Sequence, residues 1–381
     1  MKTIYVGGYG AGNFGDDLIL TSILEADPEA TVVAYGRPLL EREVPYISFE
    51  SFFRRADTML REFDALVFGG GGLFWSQEHI HEMLILALIA KSHGLKVEFR
   101  RIGLHGFNRA QDASRHLLRI ADAVSFREHD SLDLARQYLR CTKATVEPDY
   151  ALLTINSIPR IPSARTRIAI NIGSTRFIDD PSFSKHVRSI YAEIARRFAD
   201  AAEFYYLPFC SHVSSHNQND LAKSDLLFTE SNGAITWNAN ALTAERLIAE
   251  CAHTDIFIGE RFHMHIVAHA LGRPYIPLIH NEQNKYRALA YEFRNAPIFY
   301  ELSQGLIINT LTDRIRACIE AIQSVHHARA VTHIEQLATA PTAVSSAEAP
   351  PGAEVNESPQ PVPQALQSSD GAAQETERAA P

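Results

Sequence analysis

Residues 5–17 read YVGGYGAGNFGDD. An apolar run, Ile4 to Val6, leads into Gly10-Ala11-Gly12-Asn13-Phe14-Gly15, which spells G-x-G-x-x-G. A helix-like stretch, DDLILTSILEA, follows. Strand, glycine turn and helix start are the parts of a dinucleotide site, where backbone approaches a pyrophosphate and helix N–H groups face its charge. Such a site also needs an acidic residue at the end of the second strand to hold a ribose. Here that strand ends VVAYGRP, without an acid. Arg37 would suit a 2′-phosphate, so an NADP reading stays open at this point. Asp16 and Asp17 argue the other way, because they put two carboxylates where a pyrophosphate needs donors. They also suit the plain role of acidic residues in a helix's first turn.

Outward from this stretch, short apolar strands alternate with helices. TIYV, TVVA, ALVF, KVEF and AVSF read as strands, and the segments between them carry helical periodicity. That pattern predicts a parallel sheet covered on both faces. It pauses at NSIPRIPSARTR, residues 156–167, and restarts with RIAINIG. The expected layout is an N-terminal Rossmann-like domain over 1–157 and a C-terminal one over 158–327. Residues 328–381 are rich in Ala, Pro, Ser, Gln and Glu, and are expected to form a disordered tail. Ligands of such sheets bind beyond the carboxyl ends of the strands.

Charge and composition exclude several classes. The chain has 381 residues and a net charge of −9, but the tail from Ala338 holds six acids against Arg378, leaving the body near −4. A mildly acidic body without a basic stripe predicts no nucleic-acid partner. Cys141, Cys210, Cys251 and Cys318 form no CxxC pair, as expected of free thiols in a reducing compartment. The N-terminal apolar run is too short for a signal peptide, and no stretch approaches the roughly 20 apolar residues of a membrane span. A cytoplasmic protein without a transmembrane segment is expected.

Four features carry candidate chemistry. Gly69–Gly72 after the strand ALVF lets backbone approach a ligand closely, which nominates Gly70, Gly71 and Gly72. In SFREHDS, Arg127 at a strand end offers a planar guanidinium fork, or a solvated surface charge. In GERFHMHIVAHALGRP, Arg261 and His263 stand together where a strand meets a helix, a pairing suited to an anionic substrate and a proton transfer. His212 lies in the polar loop after YYLPFC, where it would meet a donor or acceptor. His265 and His269 are four apart, but no Glu of a zinc-protease motif and no third ligand accompany them. They are expected to be core histidines or histidines with their polar atoms satisfied, and no metal site is expected.

The segments GNFGDDLIL, VFGGGGLF, SFREHDSLDLA, VEPDYALL, LPFCSHVSSHNQND, GERFHMHIVAHALGRPYIPL and NKYRAL occur in this order. The ordered set resembles the polysaccharide pyruvyl transferases over roughly residues 4–320. Two segments depart from the family pattern. Arg-Phe-His replaces Arg-Leu-His at 261–263, and RIGLHGF stands where relatives tend to read Gly-Ile-Gly-Pro. The resemblance implies a GT-B-like α/β fold, two facing Rossmann-type domains with parallel sheets. It implies transfer of pyruvate from phosphoenolpyruvate to two hydroxyls of a sugar, forming a ketal during exopolysaccharide or cell-wall glycan synthesis. His263, Arg261, Asp16 and Asp17 would be catalytic. Arg127, Gly70, Gly71, Gly72, Asn13, His212 and Lys285 would bind substrate. No metal or organic cofactor is implied, phosphoenolpyruvate being the donor substrate. The acceptor sugar would be nucleotide-linked, lipid-linked or part of an oligosaccharide, with peripheral association to a membrane glycan-assembly complex. Two alternatives share the architecture: a nucleotide-sugar glycosyltransferase, with Glu282 on a donor ribose, and a non-catalytic assembly scaffold tethered by its tail.

Overall fold

The computed structural model describes residues 1–339 except 156, 157, 160, 175, 213, 214, 238–242 and 280–296, with side chains left aside at 230 and 325–339. The chain divides into two units, Met1–Ala328 and Arg329–Pro381. The first unit carries two parallel sheets. The N-terminal sheet is built from β1 (Thr3–Val6), β2 (Thr31–Ala34), β3 (Ile47–Ser48), β4 (Ala65–Gly72), β5 (Lys96–Gly103), β6 (Ala123–Phe126) and β7 (Thr145–Val146). Its order is β3-β2-β1-β4-β5-β6-β7. The helices between them are α1 (Phe14–Ala26), α2 (Phe49–Met59), α3 (Gln77–Ser92), α4 (Gln111–Ile120) and α5 (His129–Leu139), and α6 (Tyr150–Ile155) follows β7.

The second half repeats the plan. Its strands are β8 (Thr166–Asn171), β9 (Ala202–Tyr206), β10 (Ile235–Trp237), β11 (Ile256–Gly259), β12 (Tyr275–Ile279) and β13 (Ile298–Phe299), ordered β10-β9-β8-β11-β12-β13. Its helices are α7 (Arg176–Asp179), α8 (Pro181–Arg197), α9 (Asp220–Ser231), α10 (Ala244–Ala252), α11 (Phe262–Ala270) and a closing helix, Gln304–Thr339. In each sheet the order reverses once, at β1/β4 and at β8/β11. These switch points open a crevice beyond the strand ends, the usual ligand site of such sheets.

The apolar runs read from sequence are buried on both faces: β4 from Ala65 to Phe68 and β8 from Ile168 to Ile170 are fully buried. Each half has its own core, one around Phe68, Phe99 and Leu117, the other around Ile170, Val187 and Ile258. A third core joins the halves. It packs Phe14, Leu18 and Tyr150 of the first against Phe209, Leu247, Phe262 and Val267 of the second. The cleft therefore rests on an apolar seam.

Among the elements that the alternation omits are α9 and the edge strand β10. The closing helix is described to Thr339. The remainder of the expected tail lies outside the described residues. Among those described, no helix is long and apolar enough to cross a membrane.

Candidate functional site

The glycine loop after β1 spends its N–H groups internally. Gly10 N donates to Asp17 Oδ1 at 2.8 Å, and Leu39 N donates to Asp17 Oδ2 at 3.0 Å. Asn13 caps α1: its Oδ1 accepts from Gly15 N at 3.1 Å, and its carbonyl accepts from Asp16 N and Asp17 N at 3.0 and 3.2 Å. Phe14 N crosses to the second half and donates to Phe209 O at 3.1 Å, while Ser211 N returns to Gly12 O at 2.7 Å. A pyrophosphate would need these donors, so the G-x-G-x-x-G spacing here does not build a dinucleotide turn. The glycines serve backbone approach instead. A Cβ on Gly10, at φ +70°, would lie 2.1 Å from Gly36 O; one on Gly12, at φ +85°, would lie 2.9 Å from His212 Cα.

The two aspartates have separate tasks. Asp17 is fully buried and clamps the loop through both oxygens, so it does not face a substrate; its expected catalytic role gives way to this clamp. Asp16 is half-buried. Burial, reinforced by Asp17 and opposed by Arg127, pushes its carboxyl up to about 7. Asn13 Nδ2 donates to Asp16 Oδ2 at 2.8 Å. Gly71, at φ +76°, leaves room for this carboxylate, since a Cβ there would stand 2.6 Å from Asp16 Oδ1. Gly70, at φ +69°, presses on Ile19 in the same way, at 2.2 Å. Gly72 meets nothing within 4 Å, so close approach does not explain it.

The second half brings His263 to the same place. Its ring lies over Gly15, where a Cβ would fall 1.9 Å from Nδ1. A Gly15→Ala variant should therefore lose about 1–3 kcal/mol by overpacking; denaturant unfolding measures this, and a loss below about 0.5 kcal/mol would mean the ring is not held there. His263 Nε2 lies 4.0 Å from Asp149 Oδ2, and the same oxygen accepts from Arg127 Nη1 at 3.1 Å. Arg127 is enclosed. It donates through Nε to Glu128 at 3.0 Å, and its guanidinium carbon stands 3.9 Å over the Phe262 ring. Burial pushes the Glu128 carboxyl up, but Arg127, His105 and Ser131 outweigh it and hold it below its usual range. Arg127 was expected to reach substrate with an open fork. Its charge is instead taken up by Glu128 and Asp149, and its position makes it the post on which Asp149 and Phe262 rest.

Arg261 precedes α11, which begins without a side-chain cap. Its Nε lies 3.2 Å from both oxygens of Asp220, and its Nη2 donates to Asp220 Oδ1 and the Gln218 carbonyl, each at 2.6 Å. Asp220 is fully buried and also accepts from Asn171 Nδ2 and Phe209 N. Burial raises the Asp220 carboxyl, yet Arg261 and Lys223 outweigh it and hold it low. Partial burial and the Arg261 cation lower His212. Glu260 is buried beside this network, and burial raises its carboxyl.

His265 is a core histidine, as expected. Its Nε2 bonds the Gly259 carbonyl at 2.9 Å, and burial lowers it to about 4. His269 on the same helix is exposed. Lys285 and Glu282 lie outside the described residues. Asp149, Glu128, Phe262, Asp220 and Asn171 had no assigned role in the sequence reading. Asp149 and Asp220 were present in the motif segments VEPDYALL and SHNQND, but only the fold brings them to Arg127 and Arg261.

Comparison with known proteins agrees with this architecture. The chain is similar to UDP-GlcNAc 2-epimerase from Methanocaldococcus jannaschii at 13% identity and a TM-score of 0.53, covering 82% of this chain and 92% of that one. The Neisseria meningitidis UDP-GlcNAc 2-epimerase, solved bound to UDP-GlcNAc, gives 12% identity, a TM-score of 0.53 and coverage of 83% and 92%. At such identity the likeness concerns the fold, which is of the GT-B type. A search of curated protein sequences finds no significant match. The family model for polysaccharide pyruvyl transferase matches residues 13–282, a span running from the Asn13 cap through Asp16, Arg127, Asp149 and Asp220 to His263. The chain belongs to the polysaccharide pyruvyl transferase family.

Proposed function

We propose that the protein transfers the pyruvyl group of phosphoenolpyruvate to two hydroxyls of a sugar, closing a cyclic ketal and releasing phosphate. The observation that carries this reading is that His263 of the second half packs onto the first turn of α1, the turn that carries Asp16. His263 lies on Gly15, one residue before Asp16. A half-buried carboxyl raised to about 7 serves as the base, and an imidazole 4.0 Å from a carboxylate serves as the acid.

In this reading Asp16 takes the proton of the first sugar hydroxyl as its oxygen attacks C2 of phosphoenolpyruvate. His263 gives a proton to the methylene carbon, which becomes the methyl group. The C–O bond to phosphate then breaks, and the second hydroxyl attacks the same carbon. Its proton leaves with the phosphate, so two hydroxyl protons account for one methyl hydrogen and one phosphate hydrogen. Arg261 and the uncapped start of α11 favour the donor's phosphate and carboxylate. Asp220 fixes the plane of the Arg261 fork. Asp149, held by Arg127, stands 4.0 Å from His263 Nε2 and orients the ring. His212 and Asn13 lie where the two loops meet, and Lys285 is assigned to substrate binding by family resemblance alone. No metal or organic cofactor takes part.

The test is phosphate release from phosphoenolpyruvate with a panel of nucleotide-linked, lipid-linked and free oligosaccharide acceptors. Release should require an acceptor, and the acceptor should gain a ketal-linked pyruvate by mass spectrometry. Release at equal rate without acceptor, or sugar transfer from a nucleotide sugar in its place, would overturn the reading.

A further inference from the structure

The carboxyl edge of the N-terminal sheet carries an aromatic shelf that the mechanism above does not use. Tyr35 directly follows β2 and Trp75 follows β4, so they flank β1 and its glycine loop. Both rings are 38% exposed, unusual for two large aromatics that touch each other. They meet edge to face, with centroids 5.5 Å apart at 71°. Each is backed by a buried ring. Trp75 stacks on His79 at 3.8 Å and 8°, and Tyr35 stacks on Phe49 at 4.7 Å and 18°. The shelf is also fixed by polar bonds: Tyr35 hydroxyl pairs with His79 Nδ1 at 2.9 Å, and Arg109 donates to the Trp75 carbonyl. Gly106, at φ +97°, lets its loop press on Phe74 O, where a Cβ would fall at 2.2 Å.

The shelf adjoins the Asp16 site. Tyr35 N donates to Tyr9 O, and Tyr9 hydroxyl donates to Gly69 O, two residues before the glycine that faces Asp16. Trp75 is four residues past Gly71, a chain reach of at most about 14 Å. Its polar neighbour is Glu82, 37% exposed and 3.4 Å from His79. A carboxylate there accepts hydroxyl hydrogens and repels phosphates.

We propose that Trp75 and Tyr35 form a stacking subsite for a sugar ring of the acceptor, adjacent to the residue that receives pyruvate. The weakly positive C–H face of a pyranose meets the negative π-face of the indole, and ring hydroxyls meet Glu82. The shelf is preformed, so binding does not first have to order it. Only the identity of the ring as part of a pyruvylated acceptor rests on the function proposed above; the carbohydrate stacking does not.

The chain has two tryptophans, Trp75 and Trp237. In a Trp237→Phe protein, fluorescence reports Trp75 alone. Titration with an oligosaccharide panel of neutral disaccharides and trisaccharides should shift or quench it saturably, and Trp75→Phe and Tyr35→Ala variants should weaken binding of the same sugar, followed by calorimetry. With a working acceptor, Trp75→Ala should raise its KM about tenfold or more and leave the KM for phosphoenolpyruvate and kcat within twofold. Thermal melts identify a misfolded variant, for which Trp75→Phe, expected to give a smaller rise, is the substitute. Turnover with an acceptor KM unchanged in a folded Trp75→Ala protein would overturn the subsite and leave the reaction standing. Saturable sugar binding without any phosphate release would do the reverse. Neither binding nor an acceptor-KM effect would end the proposal.

Discussion

A His263→Ala protein should turn over about 10²–10⁴ times more slowly than the parent, the usual range for loss of one acid–base group. A thermal melt separates this loss from unfolding, because removing the buried ring leaves a cavity beside Gly15. Asp149→Asn tests the supporting charge. It keeps a hydrogen-bond acceptor for Arg127 but removes the anion 4.0 Å from Nε2, so kcat should fall about tenfold or more at an unchanged melting temperature. A purely structural Asp149 would lower the melting temperature and leave kcat of the folded protein in place. A loss of less than tenfold in a folded His263→Ala protein would remove the histidine from the proton path.

Where residues act through local pattern, the sequence reading and the structure coincide. The strands are apolar runs, and the GERFHMH segment sits where β11 hands over to α11. The misses share a physical cause: buried groups that satisfy each other, several of them across long sequence separations. Arg127 looked like an open fork because Asp149, its partner 22 residues on, carries no local mark. Helix α9 escaped the apolar pattern because it buries Asp220 and Lys223, which are paired with each other and with Arg261. The glycine turn is a related case. Its spacing matches a phosphate loop, yet Asp17 consumes the Gly10 N–H and Phe209, from the other half, consumes that of Phe14. Asp17 and Asp16 are adjacent in sequence but face opposite environments, and only burial separates the clamp from the candidate base.

Asp16→Asn should be the complementary case, with activity and stability moving in opposite directions. Asparagine keeps the shape and can still accept from Asn13, but it takes no proton, so turnover should fall by about 10²–10⁴. The parent rate should rise with pH through about 7, as the base ionises, and that limb should be missing from the residual activity of the variant. Stability follows from the sign of the shift. Unfolded Asp ionises near 3.9, whereas folded Asp16 holds its proton up to about 7. Between these values the folded state binds more protons than the unfolded state, so this residue's contribution declines as pH rises from about 4 to about 7 and is flat above. Asparagine carries no such penalty. The melting temperature of the variant relative to the parent should therefore climb across that window and level off near pH 7 to 8. Asp17 and Glu260 share the upward direction, but they remain in both proteins and cancel in the difference. A difference that stays constant from pH 4 to 8 would place the Asp16 carboxylate in water, and with it would go the argument that this residue is a base held ready by its surroundings.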